Sequence, residues 1–177
     1  MTQHIQIAGF GGQGVMSMGQ VLCYGGMIEG HEVSFLPSYG PEMRGGAAYC
    51  MVIVSDEPVG APIFAQPDCL MAMNLPSLDK FENNVLPGGR LFINTSLISR
   101  KAQREDIDVH YIPANDIALE LGNSRVAGMV MLGAYLKLSG VVGHDGVVGA
   151  LKKVLGEKKA SLIDINEQAL RRGASLV

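Results

Sequence analysis

"HIQIAGFGGQGVMSMGQVLCYGGMI", residues 4 to 28, decides the fold. Its first residues alternate, with Ile5 and Ile7 apolar, and read as a strand over His4 to Ala8. Gly9, Gly11 and Gly14 follow with G-x-G-x-x-G spacing. Val15 to Ile28 is then apolar almost all round, with Gly19, Gly25 and Gly26 as small packing positions. This pattern predicts a buried helix that stops at Gly30. His31 to Leu36 reads as a second strand. Strand, glycine turn, helix and strand make a βαβ unit. Glycines at this spacing let the backbone turn sharply, approach a ligand closely and pack helix on strand. Free N–H groups at the helix N-terminus would favour an anion.

The nicotinamide version of this unit needs an acid at the end of the second strand, to hold ribose hydroxyls. Here VSFL ends in Pro37-Ser38, and Glu29 and Glu32 come before the strand. That weighs against a dinucleotide. Gly12 and Gln13 add a doubled glycine and a flexible amide that can face a phosphate or a neighbouring chain. The plain alternative is a tight turn kept only for packing.

Downstream, "PSYGPEMRGGAA", residues 37 to 48, carries two Pro and three Gly and excludes a regular element. Strands are expected over Ala48 to Ser55, Cys69 to Asn74, Arg90 to Asn94 and Asp108 to Ile112, and a loop over Asp56 to Pro67. A helix is expected over Leu75 to Val85, with Ser77 as N-cap. From Ala114 the period turns helical, with helices over Asp116 to Leu121, Ser124 to Ser139, Gly146 to Leu155 and Ser161 to Ala174. Together these predict one three-layer, Rossmann-like α/β domain over residues 1–177, with a mostly parallel sheet and C-terminal helices.

Of the 177 residues, 47% are hydrophobic and 18% charged, the balance of a packed globular chain. The net charge is −3 and no Lys/Arg block of five occurs, which argues against a nucleic-acid face. No apolar stretch reaches the roughly 18–20 residues of a membrane span. MTQHIQIAGF lacks a basic region followed by a long apolar core, so no secretory signal is read and the cytoplasm is the expected location. Cys23, Cys50 and Cys69 form no C-x-x-C pair and read as small buried hydrophobes, not as Fe–S, zinc or disulfide partners. No metal site is expected. His4, His31, His110 and His144 have no ligand spacing and read as structural or surface residues. Lys152, Lys153, Lys158 and Lys159 read as a solvated face, and Met129 and Met131 as core.

The second loop changes the balance. "SYGPEMRGG", residues 38 to 46, follows a strand end, where open α/β sheets place their sites. It sets Tyr39, Glu42 and Arg44 among backbone-permissive residues. Arg44 can contact a carboxylate or phosphate in bidentate fashion. Glu42 can pair with Arg44 or accept a proton or hydrogen bond from a bound group. A surface Glu–Arg pair is the bland alternative, worth well under ~1 kcal/mol.

GFGGQG followed by SYGPEMRGG resembles the gamma subunit of 2-oxoacid:ferredoxin oxidoreductases, a unit also found fused into long single-chain pyruvate enzymes. "RVAGMVMLGAYL", Arg125 to Leu136, is similar to the family's long buried helix. "NEQALRRG", Asn166 to Gly173, is similar to its C-terminal N-x-x-A-x-x-x-G signature. Gly128 stands where the family helix usually carries Asn. The resemblance implies an oxidoreductase subunit acting on a 2-oxoacid, with 2-oxoglutarate favoured and the isolated chain inactive. Coenzyme A would be the co-substrate, with no cofactor tightly bound by this chain alone. Thiamine diphosphate, Mg and Fe–S clusters would sit on partner subunits. The implied partners are thiamine-binding alpha and beta subunits, with a ferredoxin-like delta subunit as a further candidate and ferredoxin as acceptor. A homodimer is a candidate state of the isolated chain.

The candidate binding residues are Gly9, Gly11, Gly12, Gln13, Gly14, Ser38, Tyr39, Gly40, Arg44, Gly45 and Gly46. Glu42 and Arg44 are the candidate catalytic residues. Two rival readings stay open. One is a stand-alone nucleotide-binding module of Rossmann type. The other is a non-catalytic assembly subunit whose loops only bury against its partners.

Overall fold

The computed structural model describes residues 1–39 and 47–177. Strand β1 spans Thr2–Phe10, helix α1 Val15–Ile28, β2 Glu32–Tyr39 and β3 Ala47–Ser55. Then come β4 Cys69–Ala72, α2 Leu75–Phe81, β5 Arg90–Asn94, β6 Asp108–Ile112 and α3 Ala114–Glu120. Three helices close the chain, α4 Ala127–Ser139, α5 His144–Leu155 and α6 Ala160–Ala174. Short 3-10 turns at Glu82–Asn84 and Ser124–Val126 follow α2 and precede α4.

The sheet has six strands in the order β2-β3-β1-β4-β5-β6. β1, β4, β5 and β6 pair in parallel, whereas β3 runs antiparallel to both β1 and β2. The expected βαβ unit therefore has a strand inserted in its middle: β1 and β2 point the same way, but β3 lies between them. The second strand also runs on through Pro37, Ser38 and Tyr39, where a loop was expected. β2 lies at the sheet edge, and an edge strand tolerates the donor that proline lacks. Ser77 is not the cap of α2. Asn74 is, its side-chain oxygen accepting the Ser77 N–H at 3.0 Å, with Pro76 at the start of the helix.

The central strands bury both faces, as a sheet covered on two sides requires. Ile5, Ile7, Met71 and Phe92 face α1 and the C-terminal helices, in one cluster with Met18, Leu22, Val130 and Tyr135. Ala8, Leu70, Leu91 and Ile93 face the other way, onto Leu78, Phe81 and Val85. This second layer is thin, built by α2, its 3-10 turn and loops. It is anchored by Glu82, which is 2% exposed. The Glu82 carboxylate accepts from Arg100 Nη2 at 2.8 Å and from the Gln103 N–H at 2.5 Å.

α4 and α6 approach at backbone distance. A Cβ built at Gly133 would run into the carbonyl of Leu170, and one at Gly173 into the carbonyl of Val130. Ala169, one turn before Gly173, is fully buried on the same face. The N-x-x-A-x-x-x-G stretch thus has a physical meaning: its small residues let the last helix lie directly on α4. The three cysteines are buried. Burial pushes the Cys23 thiol from its ordinary 9.0 up to about 12. Burial, and to a lesser degree Cys23, does the same to Cys50.

Gly133→Ala or Gly173→Ala is expected to destabilise the fold by about 3 kcal/mol or more, since backbone atoms cannot step aside. Urea unfolding measures this. The native thiols should resist alkylation at pH 8. Because the folded chain holds these protons up to about pH 12, while free thiols lose them near pH 8.5, stability should be level below about pH 8 and fall as pH rises above it. Alkylation kinetics and unfolding curves across that range check both points.

Candidate functional site

The register of the sheet builds the site. Ala48 of β3 lies between Gly9 of β1 on one side and Tyr39 of β2 on the other. With strands about 4.8 Å apart, the glycine loop and the segment after Tyr39 start roughly 10 Å from each other. Both leave the carboxyl ends of parallel strands, where open α/β sheets bind ligands.

Gly12 and Gly14 have φ of 90° and 79°, the left-handed region that glycine enters without strain. The loop is held from inside by Gln13. Its side-chain oxygen accepts the Phe10 N–H at 2.6 Å and the Asn74 side-chain amide at 3.3 Å. Asn74 in turn caps α2, so one pair of amides couples the ends of β1 and β4. Asn94, fully buried at the end of β5, does similar work. Its amide donates to the Met73 carbonyl at 3.1 Å and to Asn115 at 2.7 Å, and its oxygen accepts the Ala114 N–H at 3.2 Å.

A cavity of about 580 Å³ opens at this rim. Gly11, Gly12 and Gly14 line it, as do Tyr39 and Ala48, which flank residues 40–46. Gly9, Gln13 and Ser38 do not line it: Gly9 is packed against Met73 and Val15, and Gln13 is a strut within the loop. Gly40, Glu42, Arg44, Gly45 and Gly46 lie outside the described residues.

The remaining walls come from elements that sequence reading did not connect with the loop. The turn before α4 supplies Arg125 and Val126, the end of α5 Leu155, and the start of α6 Lys159, Leu162 and Asn166. Lys159, read from sequence as part of a solvated face, is a wall residue. Arg125 stood inside a stretch read as a buried helix; Asn123 caps its N–H at 3.0 Å, and this turns it toward the rim. Gly128 also lines the cavity, and a Cβ there would meet the flexible Met18 side chain 2.9 Å away.

The electrostatics have one sign. No Asp, Glu, His or Cys is among the described lining residues, and two cations are. α1 points its N-terminus here with no side-chain cap and no acid in its first turn, so its first amides are open to an anion. The four histidines lie elsewhere, each beside a carboxylate: His4 with Asp68, His31 with Asp56, His110 with Asp108, and His144 with Asp145 and Glu167. Among the described residues no group of three or more His, Cys, Asp or Glu is placed to hold a metal ion, and no helix is long and apolar enough to cross a membrane.

Residues 4–176 match the family described as pyruvate ferredoxin/flavodoxin oxidoreductase. The chain belongs to that family. Among its relatives is the ketoisovalerate oxidoreductase subunit VorA of Methanothermobacter marburgensis, 41% identical over 172 residues. That match covers 96% of this chain but 35% of VorA, so the chain spans about a third of that relative's length. A gamma subunit of a keto/oxoacid ferredoxin oxidoreductase from Geobacter sulfurreducens superposes with a TM-score of 0.83 at 27% identity, covering 98% of this chain and 96% of that one. The 2-oxoglutarate:ferredoxin oxidoreductase of Magnetococcus marinus, solved with 2-oxoglutarate, coenzyme A and succinyl-CoA bound, shares the fold. Its TM-score is 0.90 at 24% identity, over 99% of this chain and 31% of that one. The single α/β domain expected from sequence is thus the family's fold.

Gly9→Ala and Gly14→Ala separate the two uses of glycine in this family's loop. A Cβ at Gly9 would sit 2.6 Å from Gln13 Oε1 and 2.9 Å from Met73 Cβ, whereas one at Gly14 meets nothing. Gly14→Ala should cost about 1–2 kcal/mol, from backbone strain alone, and Gly9→Ala about 3 kcal/mol. Equal losses in urea unfolding would contradict this account.

Proposed function

We propose that this chain is the gamma subunit of a multi-subunit, thiamine diphosphate-dependent 2-oxoacid:ferredoxin oxidoreductase. In this reading the bond between the carboxylate and the oxo carbon breaks and CO2 leaves. The acyl group forms a thioester with coenzyme A, and two electrons pass through Fe–S clusters to ferredoxin. The observation that carries the reading is the shared cavity: the glycine loop and both flanks of the SYGPEMRGG segment face one space free of described acids.

The lining does not suit a Mg–diphosphate cofactor, because no described carboxylate is there to hold the metal. It suits an anionic organic co-substrate. Thiamine diphosphate, which stabilises the carbanion when bound, is accordingly assigned with its Mg and the Fe–S clusters to partner subunits. This chain's part is to bind and orient. The Gly11–Gly14 backbone allows close approach, the open amides of α1 attract negative charge, and Arg44 adds a guanidinium from the neighbouring loop. Apolar side chains such as Val126 and Leu155 keep water from one wall. Which 2-oxoacid is consumed is set in this reading by the thiamine-binding partners.

The test is a complex reconstituted with the thiamine-binding subunits. Arg44→Ala should raise the apparent KM for coenzyme A or for the 2-oxoacid by about tenfold or more, the worth of one charged hydrogen bond, while the complex still assembles. Titrating each substrate separately shows which anion the arginine meets. Unchanged kinetics in an intact complex would leave the loop a purely assembling role.

A further inference from the structure

The proposed function leaves open which part of the ligand enters the cavity. The lining chemistry narrows the choice. With no described Asp, Glu, His or Cys in its walls, the cavity has no group that moves a proton near neutral pH. It is a place for holding, not for bond-making. Its volume of about 580 Å³ is that of a site for a whole organic ligand, well beyond what a lone carboxylate fills.

Arg125 and Lys159 are its two cationic side chains among the described residues, and they come from separate elements, the turn before α4 and the residue before α6. Among the described residues neither shares an ion pair. The other side chains of the α5–α6 region that reach the cavity, Leu155 and Leu162, are apolar, and Asn166 stands beside them. Two cations on independent supports, with apolar surface near them, suit a molecule that carries more than one phosphate on an aromatic and aliphatic frame.

We infer that Arg125 and Lys159 grip the phosphate groups at the nucleotide end of the thiol co-substrate, so that this chain anchors the non-reacting half of coenzyme A and leaves its thiol at the cavity mouth. The inference rests on the proposed function and adds the orientation of the ligand and the residues that read it. Guanidinium and ammonium groups at an exposed rim act through charge-assisted hydrogen bonds, which salt weakens.

The experiment uses the reconstituted complex with coenzyme A and with dephospho-coenzyme A, which lacks the ribose 3′-phosphate. Arg125→Ala/Lys159→Ala should raise the KM for coenzyme A at least about tenfold, with the effect confined to KM and steeper at low salt. The wild-type preference for coenzyme A over the dephospho form should shrink in the variant. Lys137→Ala/Lys152→Ala removes the same charge from exposed positions outside the cavity and should leave KM unchanged. Calorimetric titration of the full chain with adenosine 3′,5′-bisphosphate should show binding that the Arg125/Lys159 variant loses. An unchanged KM in that variant, or an equal rise in the Lys137/Lys152 control, overturns the clamp while the proposed function stands. A wild-type complex that turns over 2-oxoacid without any dependence on coenzyme A overturns both.

Discussion

One row of backbone atoms across the sheet governs the rest of the molecule. Gly9, Ala48 and Tyr39 are hydrogen-bonding neighbours on three strands, and strand spacing is fixed by the ladder at about 4.8 Å. Two loops far apart in sequence must then leave the sheet side by side. A slip of one residue in either pairing would turn every apolar side chain of β3 to the wrong face. The burial of Cys50, Val52 and Val54 beneath α1 therefore fixes the position of the loops as firmly as any contact between them.

Around that row the protein uses small residues for two different purposes. In the Gly9–Gly14 loop they remove side chains so that backbone amides reach open space. Between α4 and α6 they remove side chains so that two helices can touch. The second use serves the first. Asn166 and Lys159 belong to the cavity wall only because α6 lies close on α4, and the pressure of Gly133 and Gly173 against opposing carbonyls sets that separation.

Much of this was legible in the sequence, and the failures have physical causes. α1, β5 and β6 matched their expected limits to the residue, since apolar period and glycine stops mark them plainly. β2 ran three residues past its expected end because proline was read as a breaker, and only sheet topology reveals that β2 is an edge. The insertion of β3 between β1 and β2 is a long-range pairing that no local pattern encodes. Within the site, the glycines and Tyr39 were found because their types are unusual in place. Arg125 and Lys159 were passed over because each sat in a run with an adequate local explanation, an apolar helix and a lysine cluster. Gln13 was noticed for its amide but not for its task, since the Asn74 partner lies on another strand.

The proline at the sheet edge has a consequence of its own. An outermost strand offers a row of unsatisfied amides to any extended peptide, and chains that leave such a row intact are prone to stack into fibrils. Pro37 interrupts the row on β2, two residues before the strand reaches Tyr39. The ribbon that brings the second loop to the cavity thus carries its own protection against growing into a larger sheet.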